Sequence, residues 1–360
     1  MRRFRLLFPL TAFALVLLVA APAFACGGLV APNGTVQLVK TTTLAAYHEG
    51  IEHYVTSFEF AGGGGGEFGS IIPLPGVPTD VIRGGEWTLQ RLILETQPQP
   101  EVFALAATGA AEDSARVILK TKIDALDIVV LEGGAIEVGN WAREHGFLLP
   151  PDAPEVLEFY ARRSPIFMTV RFDAGRAAEQ GLADGDGTPV HVVIPTTNPW
   201  VPLRILALGA PAEAPIEADV YLLTDRDPAL LPAPLAPGIA ARIPNNVRPG
   251  LVLESSEAAS RSLLADLRSD KGMEWLPSSG MWLTYLRVDA RAGDLDYDLA
   301  IDASGAGQPS PRAAGLEPEA VSGPGALERF GPVLWTVLAV LVALAALGLV
   351  DRRRAGRPAI

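Results

Sequence analysis

Alternation of apolar and polar residues dominates the chain between residues 36 and 301 and predicts mainly β-strands. Segments 36–47 and 51–60 are rich in Val, Thr, Tyr and Phe and meet at Glu49-Gly50, which predicts a β-hairpin. Further strands are predicted at 68–74, 117–123, 128–131, 166–172, 190–194, 203–208, 220–223, 281–288 and 297–301. Most of them adjoin other strands along the chain, which is typical of antiparallel pairing.

Residues at helical spacing predict three to four short helices, two of them at 88–95 and 257–268. A third is indicated by an apolar face at i, i+3, i+4 and i+7, formed by Val138, Trp141, Ala142 and His145. Asp152 precedes Glu155 by three residues, the spacing of a capping box, which predicts the start of a fourth. Helices in separate clusters among adjoining strands predict an α+β fold with mainly antiparallel sheet.

Two apolar segments at the ends of the chain predict export and anchoring. Residues 1–25 combine three arginines, an apolar run and Ala23-Phe24-Ala25, which together predict a signal peptide. Residues 331–350 contain no charge and reach the ~30 Å needed to cross a bilayer as a helix. Three arginines at 352–354 follow, so the tail 351–360 is expected in the cytoplasm.

The chain between these segments divides into a folded part and a tether. Residues 303–330 are rich in Ala, Gly, Pro and Ser and predict a flexible linker. The ectodomain is therefore predicted to span 26–302 and to lie outside the cell membrane of a single-pass protein. Its expected partners are the membrane that anchors it and an extracellular ligand or envelope protein that the sequence does not identify.

Charge excludes one class of partner. Of 29 basic and 41 acidic residues, seven arginines and one aspartate lie in the signal and the tail, which leaves 22 basic and 40 acidic residues, a net charge of −18, for 26–350. Such a surface repels nucleic acid. Cys26 is the only cysteine, so an intrachain disulfide is excluded. Both ordinary cleavage before Cys26 and lipidation of Cys26 remain open, and cleavage is favoured beside a membrane helix.

The histidines of the hairpin suggest metal binding but miss the known zinc-protease pattern. His48 and His53 are spaced at i and i+5, whereas that pattern needs i and i+4 to bring both rings to one metal. A four-residue loop, 49–52, would instead make them cross-strand neighbours able to hold a metal with one carboxylate. Turn histidines without metal are far commoner, so we predict no metal site.

Other candidate sites have simpler structural interpretations. Residues 184–187, Asp-Gly-Asp-Gly, lack the further acidic ligand of a calcium loop and are predicted to form a turn. Asp294, Asp296 and Asp298 alternate and would share one solvated strand face. His145 is interpreted as a core or helix-capping histidine, and His191 as pointing outward from its strand. Buried core positions are the default for the tryptophans Trp141, Trp200, Trp275 and Trp282.

Several dispersed motifs resemble a bacterial family, domain-of-unknown-function family 2330. They are Cys26-Gly27-Gly28, the run 68–75 with its Ile-Ile-Pro-Leu-Pro, the run 141–147, Tyr160 and the run 199–204. Many members have a tryptophan where Ser70 stands, so the first hairpin is expected to differ. The resemblance implies a shared fold and location, and it supplies no catalytic residues.

No constellation in the sequence assigns a catalytic, cofactor-binding or metal-binding residue, and no cofactor is predicted. A nucleophile elbow, a P-loop, a dinucleotide-binding glycine motif and a Cys-x-x-Cys pair are all absent from the sequence. We therefore expect a non-enzymatic ectodomain that works in binding or envelope organisation. The alternatives are a metal-dependent extracellular enzyme that uses His48 and His53 with nearby acids, and a purely structural spacer.

Overall fold

A computed structural model of the chain describes residues 29–30, 37–61, 68–85, 87–97, 116–173, 175, 179, 188–235 and 247–316. The predicted signal peptide, Cys26, the tract 62–66, the turn 184–187, the membrane helix 331–350 and the tail lie outside these residues. The described residues all belong to one compact unit that ends at Leu316; a second unit, Glu317–Ile360, is not described. Within the described ranges, no helix has the length and apolar character needed to span a membrane.

The predicted hairpin is confirmed and lies near the middle of the largest sheet. Its strands, β2 (Gln37–His48) and β3 (Ile51–Ala61), pair antiparallel with His48 opposite Ile51. Glu49 and Gly50 form a two-residue turn in which both residues have positive φ, 49° and 83°. Such turns match the twist of a hairpin, and glycine makes the second position easy to adopt.

The described residues contain sixteen strands. In chain order they are β1 (Leu29–Val30), β2 (Gln37–His48), β3 (Ile51–Ala61), β4 (Phe68–Pro73), β5 (Asp80–Arg83), β6 (Arg116–Ile123), β7 (Leu126–Glu132), β8 (Ile166–Phe172), β9 (Val190–Pro195), β10 (Trp200–Val201), β11 (Pro215–Thr224), β12 (Ala229–Leu231), β13 (Ala233–Leu235), β14 (Val247–Ala258), β15 (Trp282–Arg291) and β16 (Leu299–Asp302). Nearly all the strands predicted from alternation are present, with boundaries shifted by a few residues.

These strands form three sheets. The eight-stranded sheet has the order β13-β14-β15-β11-β2-β3-β9-β5, the five-stranded sheet β1-β4-β8-β7-β6, and the three-stranded sheet β10-β16-β12. Two neighbouring pairs in the large sheet, β11 with β2 and β13 with β14, are parallel, whereas the other pairs are antiparallel. The α+β class with mainly antiparallel sheet is thus confirmed, with a mixed large sheet.

In the part of the chain that the structure describes, four α-helices cover the outer faces of the two larger sheets. They are α1 (Thr88–Thr96), α2 (Ala135–Glu144), α3 (Ala153–Ala161) and α4 (Arg261–Arg268). One apolar core lies between the two sheets, a second joins the five-stranded sheet to α2 and α3, and a third joins the eight-stranded sheet to α1 and α4. The result is a helix–sheet–sheet–helix arrangement in which both faces of each large sheet are buried.

Three local predictions are wrong in detail. Segment 203–208 forms a 3₁₀ helix, Arg204–Ala207, rather than a strand. Residues 257–258 still belong to β14, and α4 begins only after Ser260, whose hydroxyl accepts from the Leu263 amide at 3.0 Å. The capping box at Asp152 does not form, because the Asp152 carboxylate accepts instead from the Gly209 amide at 3.0 Å.

The boundary of the predicted tether also needs correction. The polypeptide continues to fold past residue 302, with Ala313 and Ala314 buried. The Asp298 amide donates to the Ala314 carbonyl at 3.0 Å, and a guanidinium nitrogen of Arg163 donates to the Ala313 carbonyl at 2.7 Å. The folded region therefore extends to Leu316.

Candidate functional site

A groove of about 600 Å³ opens on the surface beside the hairpin turn. Its lining residues are Gly50, Pro75, Arg163, Pro195, Thr196, Thr197, Asn198, Trp200, Ser310, Arg312 and Ala313. They come from the β2–β3 turn, the end of β4, the end of α3, the loop between β9 and β10, and the segment after β16. The groove is thus assembled from parts of the chain that are distant in sequence.

The loop between β9 and β10 forms one wall of the groove and is fixed to the hairpin. The Thr196 amide donates to the Gly50 carbonyl at 3.1 Å, and the Tyr47 hydroxyl donates to the Thr196 carbonyl at 2.9 Å. Thr197 and Asn198, next along the loop, are exposed and present a hydroxyl and an amide to solvent. This wall therefore offers hydrogen-bonding groups rather than apolar surface.

Arg163, just after α3, is held in position from several sides. Its Nε donates to the Phe159 carbonyl at 3.2 Å, and its Nη2 forms an ion pair with Asp298. The guanidinium lies 4.1 Å from the ring centroid of Phe159 and 4.9 Å from that of Trp200. A cation over aromatic faces gains electrostatic attraction, so these contacts together hold the Arg163 guanidinium in one orientation.

Asp298 joins two of the motifs that carried the family resemblance, Tyr160 and the run 199–204. Its Oδ1 accepts from the Tyr160 hydroxyl at 2.8 Å, the Leu203 amide at 2.7 Å and the Arg204 amide at 3.0 Å. The Tyr160 hydroxyl in turn accepts from the Ile205 amide at 2.8 Å, and burial raises the Tyr160 pKa well above its usual range. This network docks the segment after β10 onto α3.

The prediction that three aspartates share one solvated face is therefore wrong. Asp294 and Asp296 are exposed, whereas Asp298 is completely buried. Asp296 lies 3.7 Å from the Arg248 guanidinium, and Asp294 ends a short 3₁₀ helix, Ala292–Asp294. The three carboxylates do not converge on a common cation position.

Glu52 is a buried carboxyl that sequence analysis treated only as part of a turn. The two-residue turn places it inside β3, on the face toward the core between the sheets, with Tyr47 and Ile194 as strand partners. It is 0% exposed, and neither carboxyl oxygen has a hydrogen-bond partner among the described residues. Burial raises its pKa to about 8, and the nearby Trp200 backbone amide partly offsets this rise. Side chains two residues apart on a strand share one face, so the apolar Tyr54 was the signal that could have placed Glu52 on the buried face.

The histidines adopt an arrangement different from the one predicted. His48 and His53 are not cross-strand neighbours, because the turn has two residues rather than four; His53 lies opposite Ala46. His48 Nδ1 is 2.6 Å from Asp225 Oδ1, whereas His53 Nδ1 is 3.0 Å from His191 Nε2. Within the described ranges, no group of three or more His, Cys, Asp and Glu side chains is placed to hold a metal ion.

His191 does not point outward as predicted but is buried beneath the segment that follows α4. The ring of Trp275 from that segment stacks on His53 with centroids 3.6 Å apart. Burial lowers the His53 pKa to about 3, assisted by His191 and His48, and lowers the His191 pKa to about 4, opposed by Asp80 and Glu274. The pair is therefore neutral at physiological pH and shares one hydrogen bond.

The remaining candidates have structural positions. His145 is the C-cap of α2, and its Nδ1 lies 2.7 Å from the Trp141 carbonyl, as a capping histidine should. Trp141 and Trp200 are buried, as predicted, whereas Trp275 and Trp282 are half-buried. None of these rings forms an exposed platform for a sugar.

Comparison with known proteins gives a family and a distant structural likeness. Baculovirus P35 after caspase cleavage is 10% identical, with 73% of this chain and 99% of that chain covered and a TM-score of 0.38. Baculovirus P35 itself is 8% identical, with 74% of this chain and 97% of that chain covered and a TM-score of 0.39. Likeness at this level supports no argument about function. No curated protein matches the chain significantly. Residues 19–229 match the family described as "Uncharacterized protein conserved in bacteria (DUF2330)", and the chain belongs to this family.

Proposed function

We propose that the protein is a membrane-anchored, extracytoplasmic binding protein without enzymatic activity, whose folded domain takes a polar, anionic ligand in the groove. The observation that carries this proposal is the charge of the lining: among the residues that the structure describes, Arg163 and Arg312 are the only ionisable side chains that line the groove. An acidic chain that leaves carboxylates out of one groove creates a local site for negative charge.

The lining also indicates which part of a ligand each residue would contact. Arg312 is exposed, and one of its guanidinium nitrogens donates to the Arg162 carbonyl at 2.7 Å, which fixes its direction. The Arg163 guanidinium is already paired with Asp298, so it would help to orient a ligand more than to neutralise its charge. The hydroxyls of Thr197 and Ser310 and the amide of Asn198 complete a polar set. A carboxylate, sulfate or phosphate with neighbouring hydroxyls fits this chemistry.

Location outside the membrane is part of the proposal and is supported by the two apolar terminal segments. Residues 1–25 serve as the export signal, 331–350 as the single membrane span, and 351–360 as the cytoplasmic tail. With the fold extending to Leu316, the accessible tether is shortened to 317–330. Protease added to intact cells should release the domain by cleavage there and leave a small membrane-bound fragment; a fully resistant chain would contradict this topology.

The ligand proposal is tested by titration of the purified full-length protein in detergent. Citrate, inorganic phosphate and dextran sulfate serve as anionic probes, and neutral dextran serves as the uncharged control. Arg312→Gln should weaken binding of an anionic probe by about tenfold, the cost of one charge-assisted contact. The matched variant Arg268→Gln, at the exposed end of α4, should bind as the wild type does. Equal binding of neutral dextran, or no loss in Arg312→Gln, would contradict the proposal.

A further inference from the structure

Glu52 is a buried acid that no neighbouring group neutralises. It is 0% exposed, and neither carboxyl oxygen has a hydrogen-bond partner among the described residues. Buried carboxyls are ordinarily paired or hydrogen-bonded, because an isolated buried charge is very costly. Among the described residues, no basic side chain acts on the Glu52 pKa. An acid in this environment must stay protonated or gain access to water.

Glu52 is a close neighbour, along and across the strands, of residues that line the groove. Glu52 is two residues beyond Gly50, and its partner on β9, Ile194, immediately precedes Pro195 and Thr196. Gly50, Pro195 and Thr196 all line the groove. The Trp200 backbone amide, at the far end of the same loop, is near enough to act on the carboxyl. The loop between β9 and β10 is thus the part of the groove wall next to Glu52, and displacement of this loop would give the carboxyl a route to water.

Two hydrogen bonds close that route. The Thr196 amide donates to the Gly50 carbonyl at 3.1 Å, and the Tyr47 hydroxyl donates to the Thr196 carbonyl at 2.9 Å. Tyr47 is also the residue opposite Glu52 on β2. Each hydrogen bond adds only modestly to the stability of the closed loop, whereas an ionised carboxyl is strongly disfavoured in a buried site. Ionisation of Glu52 can therefore offset the loss of these two bonds.

The other titratable groups around Glu52 do not relieve its charge. Tyr47 and Tyr54 flank it, and the negative charge of Glu52 raises the pKa of both phenols. Asp225 and Asp302 act on Tyr47 from the same region, and Asp298 acts on Tyr54. None of these groups supplies a positive charge to Glu52, and Arg163, a cation on the groove side, is already paired with Asp298. An ionised Glu52 would therefore be stabilised mainly by access to water.

We propose that Glu52 is a proton-binding site that controls the wall of the groove: the neutral carboxyl keeps the loop 195–199 closed, and loss of its proton to solvent opens the loop. Opening exposes the carboxylate to water, so the open state ionises near the usual glutamate pKa while the closed state holds its proton up to about pH 8. The open fraction therefore rises with pH between about 5 and 8 and levels off above that range. This inference concerns the loop itself and does not depend on the ligand proposed above.

Hydrogen exchange of the full-length protein in detergent tests the proposal. Exchange is measured by mass spectrometry at pH 5 to 8, and each rate is divided by the intrinsic rate at that pH. Peptides covering 194–200 in the wild type should lose protection by up to about tenfold per pH unit, the limit for one linked proton. Peptides from α4 serve as the internal control for global unfolding and should show no such loss.

Two variants assign the effect to Glu52. Glu52→Gln keeps the shape without the charge, so protection of 194–200 should become independent of pH. Glu49→Gln, on the exposed turn three residues away, should behave as the wild type. If Glu52→Gln does not fold, Tyr47→Phe removes one of the two closing bonds and should lower protection at every pH while keeping the slope. Flat protection in the wild type, or an unchanged slope in Glu52→Gln, would overturn the inference.

Discussion

The Tyr160 hydroxyl donates a hydrogen bond of 2.8 Å to Asp298, a residue 138 positions further along the chain. Asp298 uses the same oxygen to accept from the Leu203 and Arg204 amides. A single buried carboxylate thus connects α3, the 3₁₀ helix Arg204–Ala207 and the segment before β16. The groove lies against this junction, because Arg163 is the ion-pair partner of Asp298 and also a lining residue.

Removal of the Tyr160 hydroxyl should destabilise the domain. Tyr160→Phe takes one donor from Asp298 and leaves the Ile205 amide without its acceptor, so we expect a loss of about 1–3 kcal/mol in the free energy of unfolding by urea. Tyr297→Phe is the matched control, since the hydroxyl of this buried tyrosine makes a longer contact, 3.4 Å, with the Pro249 carbonyl. Equal losses of unfolding free energy in the two variants would mean that the hydrogen bonds around Asp298 add no more stability than an ordinary tyrosine contact.

Local sequence signals were sufficient for the elements that local chemistry determines. The hairpin follows from alternation on both sides of Glu49-Gly50, and α1 and α2 follow from apolar spacing. Segment 203–208 was misjudged because a distant carboxylate, Asp298, binds the amides at its start and holds it in a turn. A contact between residues so far apart leaves no mark on a local pattern.

The burial of His191 and Glu52 was missed for a related reason. Alternation was interpreted as one buried and one solvated face, which placed His191 outside. The large sheet is covered on both faces, by the second sheet on one side and by α1 and α4 on the other, so both sets of alternating residues are buried. Sheet order, including the parallel pairing of β11 with β2, likewise depends on contacts between distant segments.

Replacement of Glu52 should change the stability of the domain in a pH-dependent manner. The folded state keeps the Glu52 proton up to about pH 8, whereas the unfolded chain releases it near the usual glutamate pKa of 4.5. The unfolded state therefore binds fewer protons across this window, and the acid destabilises the fold increasingly as pH rises. Glu52→Gln should equal the wild type near pH 4.5 and exceed it by a few kcal/mol at pH 8. Chemical denaturation at five pH values measures this difference, and a constant difference would contradict it.

The buried histidine pair should produce the opposite dependence. Because the pKa values of His53 and His191 are lowered to about 3 and 4, the unfolded chain binds more protons than the folded one below pH 6.5. Stability contributed by the neutral pair is therefore complete above pH 6.5 and falls as the pH decreases toward 4. His53→Phe keeps a ring against Trp275 and removes one titrating group. Between pH 7.5 and pH 5 the variant should lose roughly 1–2 kcal/mol less of its free energy of unfolding than the wild type does. The difference between variant and wild type at pH 7.5 measures the non-electrostatic cost of the substitution.

Two glycines should respond to alanine with opposite signs. A Cβ at Gly85 would lie 2.0 Å from Asp270 Oδ2, which accepts from the Thr88 amide at 2.8 Å and so caps α1 from another part of the chain. Gly85→Ala should displace this carboxylate and cost about 1–3 kcal/mol. A Cβ at Gly139, inside α2, would make only ordinary contacts, 3.6 Å to Leu149 and 3.8 Å to Arg143, so Gly139→Ala should gain up to about 1 kcal/mol. Thermal unfolding of both variants provides the comparison.

The segment 303–316 should be required for a stable domain. It supplies the Ala314 carbonyl to the Asp298 amide and the Ala313 carbonyl to Arg163, and it buries Ala303, Ala313 and Ala314. A mature chain that ends after Asp302 would lose the carbonyl acceptors of the Arg163 guanidinium and the Asp298 amide. It would also expose part of the core, and the two effects together should cost several kcal/mol. A chain ended after Leu316 retains all these contacts. We expect the longer chain to unfold cooperatively in urea and the shorter one to be proteolysed rapidly at α3; equal protease resistance would show that the segment is dispensable.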